Sequence, residues 1–251
     1  HWWGAWALMG VGSIGIMAVL GWAFLRDNPE ECGLRMDGGS GATPRRQPHA
    51  DTIAHRDYER SEALATWPFW AFNLSFAFFA LFSTAFTFHI VSLGELAGRP
   101  RAEIINYFVP MAILSVGTNL FCGWVSSRTK LKYLLVLMNL SALVGVMGTL
   151  ALSTGYGAVA YVIGNGVCGG CFAALTGIVW PRFFGRLRLG AIAGFGMSSM
   201  VIASGVGPLL FGLSLAWAGS YAPILWICAA VPALLVIGSM WADNPQRDAP
   251  A

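Results

Sequence analysis

The polar side chains that interrupt otherwise apolar runs of this 251-residue chain include Thr84, His89, Tyr107, Ser115, Asn119, Asn165 and Ser199. Hydroxyl, phenol and carboxamide groups donate and accept hydrogen bonds without carrying charge, so six of these seven can orient a bound solute but cannot neutralise it. Imidazole is the exception, because it changes charge near neutral pH. Ser115 and Asn119 stand four residues apart, on one face of a helix. Acid–base, nucleophilic or metal chemistry needs clustered His, Asp, Glu or Cys at ligand spacing. His1, His49, His55 and His89 are scattered, and no Asp or Glu falls inside the apolar run around any of these candidates. Cys168 and Cys171 form a C-x-x-C, but in an apolar run with no second pair beside it the thiols read as small packing groups. No catalytic residue, metal or cofactor is therefore expected.

The elements that must position these groups belong in a bilayer. Only 11% of the residues are charged, against about 25% in a soluble domain, too few to give such a chain a polar surface. Apolar runs long enough to cross as helices fall at 2–25, 67–91, 104–125, 133–152, 158–179, 191–217 and 222–241. The third is expected to bend at Pro110. The sequences STGYG at 153–157 and AGSYAP at 218–223 divide two double-length charge-free stretches into pairs of spans. Gly205, Gly207 and Pro208 predict a bend in the sixth span. The expected fold is thus an all-α integral membrane protein of seven transmembrane helices. One helix (1–25) precedes a polar connector (26–66), and six follow it (67–251). A short surface helix is expected within 57–65.

In the second span Asn73, Ala77, Ala80, Thr84 and Thr87 share one face, and Phe78, Phe82, Phe86 and His89 another. In the third, Tyr107, Met111, Ser115 and Cys122 are aligned. A small and polar stripe suits either a water-filled cavity or a helix–helix seam. His89 reads either as a functional ionisable group or as a residue at the headgroup level, close to Gly94. Gly166 and Gly170 read as close-packing positions.

Seven spans place the two ends on opposite sides. Arg26, Arg35, Arg45, Arg46, Arg56, Arg60, Arg128, Lys130, Lys132, Arg182, Arg186, Arg188 and Arg247 fall on one side, and Arg99 and Arg101 on the other. The basic side is predicted to be cytoplasmic, with the N-terminus of this chain outside and its C-terminus inside. A net charge of +3, dispersed over short loops, excludes a nucleic-acid groove. The expected partners are a small-molecule substrate and the lipid bilayer.

One span, a long polar loop and six further spans, together with four local stretches, resemble the C-terminal part of a major facilitator superfamily transporter. The stretches are RDNPEECGLRMDG after the first span, GWVSSRTKLK at 123–132, WPRFFGRLRLGAIAGFGMSSMVIASGVGPLLFG at 180–212, and AGSYAPILW after it. The second resembles the family's Gly-x-x-x-Asp-Arg-x-x-Arg/Lys loop, which marks Gly123, Ser127, Arg128 and Lys132 as a gating loop. Ser127 stands where the family has Asp, which puts that acid's charge contact in doubt. FTFHIVSLGELAG at 86–98 and WPRFFG resemble bacterial members of the monocarboxylate and oxalate/formate exchanger branch. The resemblance implies a chain running from the sixth to the twelfth helix, with the N-terminal half of the same protein missing. It also implies an inner-membrane location and secondary transport of a small organic anion, a monocarboxylate, by alternating access. Helices lining the cavity would be the second, third, fifth and sixth spans here, with Thr84, His89, Tyr107, Ser115, Asn119, Asn165 and Ser199 as substrate-binding candidates. The rival readings are a seven-helix receptor or sensor, and a transporter of another solute class within the same superfamily. Against the receptor, both lysines lie in a loop, and neither Asp-Arg-Tyr nor Asn-Pro-x-x-Tyr occurs.

Overall fold

The computed structural model describes residues 2–24, 54 and 56–248, all helix, turn or irregular chain with no strand among them. The chain divides into two units, 1–47 and 48–251. In the first, α1 (Trp2–Val11), a π-helical stretch (Gly12–Ile16) and α2 (Met17–Phe24) run on as one apolar helix. Its π-helical stretch contains Gly12 and Gly15, where no Cβ resists a locally wider turn. None of its described side chains is buried. Most of the predicted connector, up to residue 53, lies outside the described residues.

The second unit contains α3 (Arg60–Leu64), α4 (Trp67–Leu96), α5 (Arg101–Asn106), α6 (Phe108–Ser126), α7 (Leu131–Leu150), α8 (Gly155–Phe184), α9 (Leu189–Ala218) and α10 (Ala222–Ser239). A 3₁₀ turn follows (Pro245–Asp248). Counting the first unit's helix and joining α5 to α6, seven helices among the described residues are long and apolar enough to cross a membrane. Their ends follow local chemistry. Pro68 opens α4, where a missing N–H costs no helical bond. Thr154 caps α8, its Oγ1 accepting from Gly157 N at 3.0 Å. Gly219 closes α9 with φ of 65°, in the left-handed region that lacks a Cβ penalty.

The bend expected in the third span falls elsewhere. The third span breaks at Tyr107, three residues before Pro110. Proline in a first turn lacks the N–H that the preceding turn needs, so the interruption falls upstream of it. The sixth span stays helical through Gly205, Gly207 and Pro208.

These spans are apolar all round, so small residues and a few polar ones decide which faces meet. The closest pairings are α7 with α8, α4 with α9, α6 with α8, and α10 with α7. Glycine lets α8 approach two neighbours at once. A Cβ on Gly164 would meet the backbone of Ser141 and Gly145 on α7, and one on Gly166 would lie 2.8 Å from Leu114 Cβ on α6. The close packing expected for Gly166 and Gly170 is what the structure contains. Buried Asn139 on α7 donates to Ser75 Oγ on α4 (2.9 Å) and Ser239 Oγ on α10 (3.0 Å), tying three helices together. Each such bond contributes about 0.6 kcal/mol in a membrane. Phe69, Phe72, Phe76, Trp180, Phe183 and Phe184 interlock α4 with α8 in edge-on and tilted ring pairs.

Candidate functional site

The α4, α6 and α8 helices leave a cavity of ≈ 300 Å³ between them. Phe79, Ser83 and Phe86 line it from α4, Phe108, Met111, Ala112 and Ser115 from α6, and Tyr161, Asn165 and Gly169 from α8. The lining recurs every three or four residues on each helix, the spacing of one helical face. Gly169 keeps the wall thin, since a Cβ there would sit 3.3 Å from Ser115 Oγ. Two ring stacks shape the sides: Phe86 on Tyr161 at 4.2 Å between centroids, and Phe79 on Phe172 at 4.5 Å. No charged residue lines the cavity. Hydroxyls of Ser83 and Ser115 and the carboxamide of Asn165 supply its polarity. Asn165 Nδ2 donates to Tyr161 O at 3.0 Å, which anchors the amide to its own helix. An apolar hollow with a few convergent polar groups is the usual form of a small-molecule site.

Of the residues singled out from sequence, Ser115 and Asn165 lie in this lining. Tyr107 adjoins it through ring contact with Tyr161 at 6.3 Å, its hydroxyl donating to Glu103 Oε1 at 2.7 Å. Asn119 is half-buried one turn beyond Ser115, outside the lining. Thr84 is half-buried on α4, also outside it. Ser199 belongs to the α4–α9 seam, accepting from Asn73 Nδ2 at 3.2 Å and donating to Phe195 O. The polar stripe predicted on the second span therefore divides: Asn73 joins the seam, and Thr87 is exposed and bonded to Ser83 O. His89 sits apart from the cavity, between α4, α9 and the start of α10. Ser83, Phe79, Phe86 and Tyr161 were not among the sequence candidates as a lining. Ser83 had one available signal, its position four residues after Phe79 and three before Phe86.

The predicted gating loop lies at the end of the bundle where α6, α8 and α10 finish. Arg128 stacks over Trp124 at 4.2 Å and donates to its carbonyl. Ser127 Oγ also donates to Trp124 O, at 3.2 Å. A Cβ on Gly123 would meet open space. Lys132 pairs with Asp243 beyond α10 at 2.7 Å, with Lys130 at 3.8 Å from the same carboxylate. A carboxylate thus reaches this loop from the C-terminal segment, although position 127 is serine. Buried Arg182 donates to Ser126 O at 2.6 Å.

The segment before α4, expected to be a surface helix on a polar connector, is docked on this same end. Asp57 Oδ1 accepts from Arg186 N and Leu187 N, at 2.7 and 3.0 Å. Gly185 beside it has φ of 82°, and a Cβ there would collide with Asp57. Tyr58 N donates to Phe184 O, and Gln246 Nε2 donates to Arg56 O and Phe183 O. These contacts gather Arg56, Arg60, Arg128, Lys130, Lys132, Arg182, Arg186 and Arg188 at one end. Arg99 and Arg101 lie at the other, where Arg99 bonds to Leu152 O and Ser153 O. Among the described residues, no group of three His, Cys, Asp or Glu could hold a metal ion. No family model matches the chain, and a search of curated proteins finds no match either.

Proposed function

We propose that the chain is part of a secondary transporter that moves a small organic anion, a monocarboxylate, across a membrane by alternating access. The observation that carries this reading is the cavity between α4, α6 and α8. It lies along three spans, is sized for a small solute, and offers neutral donors beside aromatic walls. Ser83 and Ser115 can donate to carboxylate oxygens, and Phe79, Phe86 and Phe108 suit a short apolar tail. Neutral donors leave the anion's charge uncompensated, so a cation is required from elsewhere. The resemblance to major facilitator transporters assigns it to the N-terminal half of such a protein and makes 67–251 the C-terminal six-helix half. The six spans pack as one bundle through α7–α8, α4–α9, α6–α8 and α7–α10 contacts. The concentration of Arg and Lys at the end carrying Asp57 and Asp243 favours a cytoplasmic position for that end, in a bacterial inner membrane.

Uptake of radiolabelled solutes by the full-length protein in proteoliposomes tests this. Short carboxylates should accumulate and compete with one another. Selective uptake of a sugar or an organic cation would reject the substrate class, and uptake of no solute would reject transport.

A further inference from the structure

Away from the cavity, one imidazole is held between two hydrogen-bond partners. His89 Nε2 lies 3.0 Å from Pro208 O on α9, and Nδ1 lies 3.0 Å from Tyr221 Oη at the start of α10. Tyr221 Oη is in turn 3.0 Å from Ser92 Oγ, one turn after His89 on α4. A backbone carbonyl only accepts, so Nε2 carries a hydrogen in every state. Nδ1 is then the one variable position of the ring. With a lone pair there, Tyr221 O–H donates to Nδ1 and Ser92 donates to Tyr221. With a second proton there, Nδ1–H donates to Tyr221 Oη, and the phenol O–H turns to Ser92 Oγ. Both arrangements pair Nδ1 with the phenol oxygen and differ only by hydroxyl rotations; in the second, the Ser92 hydrogen turns away from Tyr221.

The contacts around the ring are aromatic or uncharged. Ring centroids of Tyr221 and Phe211 lie 5.4 and 6.1 Å from the imidazole. Helix α9 presents Pro208, Phe211 and Gly212 to the ring, none of them titratable. The one titratable group facing it from α10 is Tyr221. From α8 the nearest is Tyr161, stacked on Phe86 one turn away. At the same end Glu95 is exposed, Arg99 pairs with Glu103, and Tyr107 bonds to Glu103. None of these bonds to His89 or Tyr221 among the described contacts. Tyr221 also borders a recess of ≈ 280 Å³ lined by Leu93, Leu152, Thr149, Ser153 and Ser220. Hydronium delivered to the phenol oxygen would let the phenol pass its own proton to Nδ1.

We propose that His89, Tyr221 and Ser92 form a proton-binding site, which takes one proton on Nδ1 by reversing the hydrogen-bond chain. The step makes one N–H bond and returns water from hydronium, with no redox change. Its role rests on the transport reading above: the bound proton is the co-transported ion, additional to the cation that the N-terminal half supplies to the carboxylate. Phe86, three residues before His89, lines the solute cavity, so one face of α4 joins the two sites.

Two measurements on the full-length protein test this. Imidazole ¹⁵N spectra, with the His89 signal identified by its loss in His89→Gln, should show the Nε2–H tautomer in alkaline buffer and both nitrogens protonated in acid. Tyr221→Phe should change the Nδ1 resonance while leaving Nε2 protonated. In proteoliposomes, Tyr221→Phe should cut the stimulation of uptake by an inward proton gradient by roughly tenfold, the effect of losing one charge-assisted hydrogen bond. A neutral Nδ1–H tautomer, or gradient stimulation unchanged in Tyr221→Phe, would overturn the site. The expected spectra in a protein that transports nothing would uphold the proton site and remove the transport reading.

Discussion

Gly164→Leu should leave the chain unable to assemble its bundle. On α8, a Cβ at this position would lie 2.6 Å from Gly145 Cα and 2.7 Å from Ser141 O, both on α7. These are backbone atoms in the middle of a helix and cannot rotate aside. The same line of approach continues at Gly157, where a Cβ would strike Ala151, and at Gly148, where one would strike Ala160 and Tyr161. Membrane helices gain little from burying apolar surface against one another, since lipid is equally apolar, so this close approach is what holds α7 to α8. Even Gly164→Ala should cost about 1–3 kcal/mol, the usual penalty for overpacking. Leucine should exceed that and yield aggregated protein. Gly177→Leu, on the same helix but facing open space, is the control and should behave as wild type. Thermal unfolding followed by size-exclusion chromatography in detergent measures all three. A Gly164→Leu protein that melts with wild type would mean that α7 and α8 do not meet along this line.

Ser115→Trp should abolish uptake while leaving the protein folded. Ser115 faces the cavity, and the wall opposite is occupied by Gly169 and Phe79, so an indole has only the hollow itself to enter. There it would stack among Phe79, Phe86 and Tyr161 and displace the solute. The folded state tolerates the change because the volume already exists, which separates this variant from the glycine series. Uptake should fall by more than about tenfold, the consequence of losing ~1.4 kcal/mol or more of solute binding. Val116→Trp, one residue along on the exposed face of α6, should transport normally. Equal loss in both variants would indicate general damage to α6, and no loss in Ser115→Trp would detach the cavity from transport.

Helix positions were legible in the sequence because charge and turn chemistry mark them. Pro68, the basic loops at 126–132 and 181–190, and the 153–157 and 218–223 breaks bound helices that appear within about five residues of the expected ends. Helix faces were much less legible. A helix that is apolar all round has no amphipathic stripe to show which side turns inward. Thr84 and Ser199 share composition and depth with Ser115, yet Ser199 pairs with Asn73 at a seam while Ser115 faces a hollow. That distinction depends on which helix lies opposite, and nothing within a single helix encodes it. The Asn139 node and the docking of Asp57 and Tyr58 onto the end of α8 depend on neighbours more than 60 residues away. The Tyr107 break was displaced from Pro110 because the lost hydrogen bond belongs to the turn before the proline. His89 was visible as a titratable group in an apolar run, but its partners Pro208 and Tyr221 come from other helices.

The most direct test of the central claim, that solute passes through the α4/α6/α8 cavity, is chemical access at position 115. A Ser115→Cys protein with Cys122, Cys168, Cys171, Cys228 and any other native cysteine removed should react with a small, charged, membrane-impermeant thiol reagent. Transported carboxylate should slow that reaction, and complete labelling should stop uptake. A fully labelled protein that still transports at the unlabelled rate would contradict the account.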